Sequence, residues 1–236
     1  MPTATESLTQ NRLLNSLPDE EYERLSRGME PVHYSAGKIV YEAGDCARYV
    51  YFPLNGVIGL LSMTAEGESI EVGIIGNEGT TAVPVIMHPR NMLYRAVVQS
   101  SMDAARIEAS AMHHEIEKGG RLSHILLCYS HSLFTQIAQS AVCNRFHTAE
   151  QRFARWLLDT RDRIDSNAIE VTQECLASML GIQRSVVSAS ETALQRAGLI
   201  TFGRGEITIL DHRGLETATC ECYEIVREQV CRCLTP

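Results

Sequence analysis

No run of about 18 apolar residues occurs in this chain, so no segment reads as a membrane-spanning helix. The opening residues, MPTATESLTQNRLLNSL, lack a basic stretch followed by an apolar block, so no secretory leader is expected and the expected location is the cytoplasm. Eight cysteines are present without regular spacing, and 236 residues are far more than a disulfide-framed fold needs. His-x-His pairs of the kind that hold a catalytic metal in a jelly roll are missing, as are a phosphate-binding glycine loop and a nucleophile motif. Catalysis is therefore not expected. Positive charge is also short: the net charge is −8. The deficit is uneven. Residues 1–144 carry 10 Lys/Arg against 16 Asp/Glu, residues 145–215 carry 9 against 9, and residues 216–236 carry 2 against 4. In the balanced middle region every cation is arginine, the side chain suited to bidentate contacts with phosphate and guanine.

That balanced region contains the most informative stretch, Thr172 to Ile200, reading TQECLASMLGIQRSVVSASETALQRAGLI. In a twenty-residue frame from Gln173, Ala177 is fifth, Gly181 ninth and Val187 fifteenth, with Leu176, Leu180 and Ile182 apolar between them. A helix-turn-helix needs this arrangement. A small residue permits close crossing, glycine accepts the left-handed conformation that ends the first helix, and a β-branched residue pins the second helix. Gln183, Arg184, Ser185, Ser188 and Ala189 face outward on the second helix, the face that enters a DNA major groove in this motif. Thr172 caps the first helix. Two β-rich runs, Leu199–Phe202 and Glu206–Leu210, flank Gly203-Arg204-Gly205 and read as a hairpin, or wing, with Arg204 at its tip placed to reach a phosphate.

The chain ahead of this motif changes texture twice. Residues 11–28 read as one short helix with a start signal at Ser16–Glu21. From Pro31 to Ile107, short β-branched or aromatic runs alternate with glycine turns: 38–41, 49–52, 57–63, 69–75 and 94–98. This spacing predicts an antiparallel jelly roll or barrel. From Ala109 the pattern is helical, with a break at Gly119-Gly120 and then a long helix from Arg121 to about Arg145 that contains no proline or glycine. Leu122, Leu126, Tyr129 and Leu133 form one apolar stripe, and Leu127, Phe134, Ile137 and Ala141 widen it to an arc that can serve both a neighbouring domain and a partner helix. It is read here as a dimerisation helix, with Leu122, Leu126, Tyr129, Leu133 and Ile137 at the dimer contact. Thr148-Ala149-Glu150-Gln151 is a capping box that starts a new helix. The tail from Arg213 reads as helical and partly acidic.

A β-roll, a long helix and a winged helix-turn-helix in this order resemble the Crp/Fnr superfamily of bacterial transcription regulators, over about residues 11–215. The carriers are Asn144-Arg145-Phe146-His147-Thr148-Ala149-Glu150-Gln151-Arg152 at the hinge, Thr172-Gln173-Glu174 at the motif's start, and Gly181-Ile182-Gln183-Arg184-Ser185-Val186-Val187-Ser188 at its turn and second helix. The resemblance implies an α+β fold: an antiparallel β-roll sensor, cyclic-nucleotide-binding-like, over 1–120; a dimerisation helix and hinge over 121–147; and a winged helix-turn-helix domain with its tail over 148–236. It implies a homodimeric regulator that reads a palindromic operator in double-stranded DNA, works with RNA polymerase and answers to a small-molecule effector. Thr172, Gln173, Gln183, Arg184, Ser185, Ser188 and Arg204 are the implied DNA contacts. The family often has Glu where Ser185 stands and Arg where Ala189 stands, so a different half-site is expected. In cyclic-nucleotide-binding members a Gly-Glu pair precedes an Arg-Ser/Thr-Ala sequence. Here Gly76-Asn77-Glu78-Gly79 and Arg95 are the counterparts, with the glutamate displaced by one residue and the arginine two or three residues late. An odd shift along a strand turns a side chain to the other face.

Two further groups invite a metal or thiol-redox reading on the same scaffold. His124, Cys128 and His131 share a helical face at i, i+4 and i+7. Cys220-Glu221-Cys222 and Cys231-Arg232-Cys233 stand in the tail, but residues two apart in a helix point about 200° apart, so neither pair chelates there unless the helix unwinds. No metal or cofactor is assigned on these grounds. The alternatives are a metal- or thiol-responsive regulator and a cyclic-nucleotide-binding protein whose helix-turn-helix meets protein.

Overall fold

A computed structural model describes Leu8 and residues 10–87, 91–203 and 205–234. The expected single helix at the start is two: α1 (Arg12–Asn15) and α2 (Asp19–Ser26). Pro18 lacks an N–H and stands in extended conformation as the N-cap of α2, with Asp19, Glu20 and Glu21 in the first turn. Asn11 is fully buried and pins this segment to the β-rich part of the chain that follows it. Its side-chain amide donates to the carbonyls of Pro53 (2.9 Å) and Gly79 (3.0 Å), while its Oδ1 accepts from Leu14 N (3.1 Å).

The β-roll consists of two antiparallel sheets. In one, β7 (Met102–Glu108) is central between β1 (Glu30–Tyr34) and β3 (Tyr49–Pro53), with Phe52 opposite Ala105. In the other the order is β2 (Ile39–Tyr41), β6 (Arg95–Val98), β4 (Ile58–Met63) and β5 (Ser69–Ile75). Both β1 and β7 fall within the expected β region, Pro31 to Ile107, give or take one residue, but are not among the five runs named there. The β4–β5 hairpin has an irregularity between Leu60 and Leu61. After β5 come a short helix, α3 (Val83–Met87), and, beyond β7, α4 (Ala109–Glu117).

Helix α5 (Arg121–Phe146) closes the roll, and here one expectation is corrected. Leu122, Leu126, Tyr129 and Leu133, assigned above to a dimer stripe, are at most 5% exposed and belong to the core of their own subunit, with Phe52, Ile58, Leu60, Ile75 and Val98. Ile137 is half-buried at the edge of this core. The broad arc divides into two neighbouring stripes, and the one named above is already spent on the roll. The stripe left open is Leu127 (61% exposed), Phe134 (54%) and Ala141, seven residues apart.

Helix α6 (Ala149–Ile164) starts at the capping box: Thr148 Oγ1 accepts from Gln151 N, and Gln151 Oε1 accepts from Thr148 N. Then follow β8 (Ala168–Glu170), α7 (Gln173–Leu180), α8 (Arg184–Arg196), the hairpin β9 (Ile200–Gly203) and β10 (Glu206–Ile209), α9 (His212–Ala218) and α10 (Cys222–Leu234). The small sheet runs β8-β10-β9. A second core, built on Phe153, Trp156, Leu157, Leu176, Val187, Leu194 and Ile207, holds these elements together. The helix α10 turns back along α5, where Cys233 joins the first core. No helix among the described residues is long and apolar enough to cross a membrane.

Candidate nucleic-acid interface

The helix-turn-helix is assembled by local chemistry. Thr172 caps α7 by accepting from Cys175 N at 3.2 Å. Gly181 then takes φ 60°, ψ 40°, the left-handed conformation that a Cβ disfavours, and Ile182 N returns to the carbonyl of Ala177 at 3.0 Å. Arg152 of α6 reaches across to the carbonyl of Leu180, an orphan acceptor of the last turn. Leu176, Leu180, Val187 and Leu194 are buried, which fixes the rotation of α8.

That rotation leaves Gln183, Arg184, Ser185 and Ala189 exposed on α8, with Ser188 half-buried. The Arg184 guanidinium pairs with Glu174 (2.6 Å) and donates to Gln173 Oε1 (3.2 Å). Gln173 in turn donates to the buried Glu191 (2.7 Å), whose pKa is raised by burial. Arg184 and Glu174 are both 64% exposed, so their pair is weak and exchangeable for a stronger acceptor. The partner role of Glu174 was not foreseen. The hairpin behind α8 is present, with Gly205 at φ 80°. Arg204 lies outside the described residues.

The motif's turn does not face open solvent alone. The β4–β5 hairpin rests against it: Ser69 Oγ and Ser178 Oγ are 2.8 Å apart, and a Cβ on Gly181 would lie 2.8 Å from Ile70 Cδ1. Glu71, next along β5, lies in a cleft between the two halves with Gln136, Arg155, Trp156 and Asp159. Desolvation pushes its carboxyl up to about 8, despite a hydrogen bond from Gln99.

The candidate effector residues are engaged elsewhere. Glu78 is buried and pairs with Arg163 of α6 at 2.9 Å while accepting from Gly76 N at 3.1 Å. A side chain on Gly76 would strike Arg163, and one on Gly79 would strike the Tyr129 ring, so both glycines serve close packing against helices. The Asn77 carbonyl accepts from Arg12 N at 2.7 Å. Arg95, at the start of β6 in the same sheet as β5, donates to Glu42 at 2.7 Å. The stretch 76–79 therefore joins the roll to the DNA-binding half, and does not meet Arg95.

Of the metal candidates, Cys128 Sγ lies 3.6 Å from His124 Nε2, but His131 completes no ligand set with them among the described residues. The tail corrects a second expectation. Thr219 ends α9 and Cys222 begins α10, so Cys220 stands in the break between helices and the helical geometry used above does not apply. Its thiol meets Cys143 Sγ at 3.6 Å, and Cys222 Sγ lies 3.6 Å from His147 Nδ1. Cys143 and His147 were passed over in the sequence, although an i, i+4 Cys/His pair closes the helix just before the hinge.

Residues 151–218 match a family described as the Crp-like helix-turn-helix domain, and residues 31–118 match the cyclic nucleotide-binding domain family. The nitrogen fixation regulation protein FixK of Bradyrhizobium diazoefficiens is 24% identical over 207 residues, 83% of each chain. The solved structure of FixK2 from Bradyrhizobium japonicum superposes with a TM-score of 0.67 at 14% identity, covering 81% of this chain and 98% of that one. A CRP-family transcriptional regulator from Thermus thermophilus gives 0.64 at 20% identity, covering 79% and 95%. At these identities the two structures speak for the fold.

Proposed function

The chain belongs to the Crp/Fnr superfamily of DNA-binding transcription regulators, and from that premise we propose that it reads a palindromic operator as a homodimer. Each α8 would enter a major groove, the two grooves about 34 Å apart. The observation that carries this reading is the outward row Gln183, Arg184, Ser185 and Ala189 on a helix whose other face is locked into a core. Arg184 is the base reader, released from Glu174 on binding; Ser185 and Ser188 flank it. Thr172 and Gln173 stand at the start of α7 to meet the backbone, and Arg204 is assigned a phosphate by its place in the sequence. Residues 1–120, 121–147 and 148–236 are taken as sensor, dimer helix with hinge, and DNA-binding unit, with the end of α10 returning to α5.

The open stripe Leu127, Phe134 and Ala141 supports dimerisation through α5. Bound at a promoter, such a dimer is positioned to touch RNA polymerase. Effector response would run through the loop Gly76–Gly79, because Glu78 holds Arg163 in the DNA-binding half. A ligand that favours one arrangement of this contact shifts the population of recognition-helix spacings. A cyclic nucleotide would have to displace Glu42 from Arg95 and Arg163 from Glu78. Calorimetry with cyclic AMP and cyclic GMP tests that: saturable one-to-one heat supports a nucleotide effector, and its absence removes it.

The deciding experiment is selection of bound DNA from a random pool, followed by footprinting with Arg184→Ala. Expected is a two-fold symmetric site, a loss of about 1–3 kcal/mol and relaxed preference at one position per half-site. An unchanged footprint with Arg184→Ala would refute the recognition-helix assignment.

A further inference from the structure

Three thiols and an imidazole converge where the long helix meets the hinge. Cys143 and His147 come from the last turn of α5 and its C-cap, one helical turn apart. Cys220 comes from the break between α9 and α10, and Cys222 is the first residue of α10. Their ligand atoms all lie within 4.8 Å of one another. Cys143, Cys220 and Cys222 are buried and form a small cluster of their own, apart from both cores, and the His147 side chain is 12% exposed.

We infer that Cys143, His147, Cys220 and Cys222 form a tetrahedral site for a single soft divalent cation of the zinc class. A tetrahedron with metal–sulfur bonds of about 2.3 Å has edges of roughly 3.8 Å. The Cys143–Cys220 and Cys222–His147 contacts, both 3.6 Å, match those edges. The separations suit one ion and are too short for donors spread over a polynuclear iron–sulfur cluster. Three sulfurs and one nitrogen form a closed structural set, with no position left for water.

The surroundings complete the chemistry. His147 presents Nδ1 to Cys222, while its Nε2 lies 3.3 Å from the Glu221 carboxylate. A carboxylate on the far nitrogen fixes the tautomer that leaves Nδ1 free to ligate. On loading, the three thiols release three protons, leaving the site with one net negative charge. Arg155 lines the same cleft as Cys143, and its positive charge offsets that of the loaded site. The ion would tie the end of α5 to the α9–α10 junction, clamping the DNA-binding half across the hinge. This inference stands on side-chain geometry and holds whichever operator or effector the protein uses.

The test uses the full chain, purified under reducing conditions, stripped with chelator and titrated with cobalt(II), then with zinc. Expected are one equivalent of metal per chain, the visible bands of tetrahedral cobalt with thiolate charge transfer in the near ultraviolet, and their displacement by zinc. Cys222→Ser and Cys143→Ser should lose stoichiometric binding. Cys175→Ser, an exposed cysteine on α7, should keep it. Glu221→Ala should weaken affinity about ten- to a hundredfold. Because a cysteine variant could misfold, the wild-type spectrum is decisive by itself. Octahedral cobalt bands, substoichiometric metal, or a Cys143–Cys220 disulfide in place of metal overturns the assignment, as does full binding by a folded Cys222→Ser chain.

Discussion

Gly181 answers two demands, the left-handed turn between α7 and α8 and the close approach of Ile70. Gly181→Ala should cost about 1–2 kcal/mol from backbone conformation, with the crowding at Ile70 added. Urea denaturation of Gly181→Ala beside Gly181→Ala/Ile70→Ala separates the two: the second change recovers only the crowding. Glu71 makes a pH prediction. Its carboxyl is raised from 4.5 to about 8 by desolvation, so the folded state favours the protonated form. Its contribution is fully present below 4.5, declines between 4.5 and 8 and is gone above. Glu71→Gln should therefore flatten that decline, read as the difference in thermal midpoint between mildly acidic and mildly alkaline buffers. An unchanged slope would show that other groups set it. At this scale the outward residues of α8 were legible because one helical period fixes a face. Glu174 was not, because its pairing with Arg184 depends on how α7 and α8 cross.

At the scale of elements, the caps and turns were the most legible features. The Thr148–Gln151 box and the Gly181 turn are local, and local hydrogen bonding decides them. Thr148→Ala should cost about 1 kcal/mol of stability, measured by calorimetric melting. Strand β7 was the hardest to see. Ala104 and Ala105 have little strand preference, yet they are buried at the centre of a sheet, paired on both sides by β1 and β3, which only the folded chain brings to them. The long helix α5 misled for a different reason. Two stripes with the same seven-residue spacing lie side by side, and periodicity does not say which one meets the roll. Buried Gln136, which accepts from Ile74 N at 2.8 Å, marks the inner side with a polar residue that a search for apolar ones passes over. Phe134→Asp should yield folded monomers in analytical ultracentrifugation, whereas Leu126→Asp should prevent folding. A dimer that survives Phe134→Asp would move the interface elsewhere.

For the whole molecule, the contact between sensor and DNA-binding half is a chain of alternating charge. Glu78 pairs with Arg163, Arg163 with Asp159 (3.5 Å) and Asp159 with Arg155 (3.2 Å), all buried. Glu78→Gln leaves Arg163 short of one counter-charge and should cost about 3 kcal/mol, while Glu78→Gln/Arg163→Met should cost less. Denaturation of the two variants and the parent checks this. Glu78 and Arg163 are 85 residues apart, and only folding puts them together. For the same reason the resemblance of Gly76–Gly79 to a nucleotide loop could be read in the sequence, but its use as a joint could not.

The return of α10 along α5 has a practical consequence. The end of the helix at Leu234 lies against the sensor body, with Cys233 beside the carbonyl of Ile125, although the chain before it belongs to the DNA-binding half. A fluorophore attached there would move with the sensor. Paired with a dye on the exposed face of α8 it would report the angle between reader and sensor, and paired with one on the roll it would stay silent.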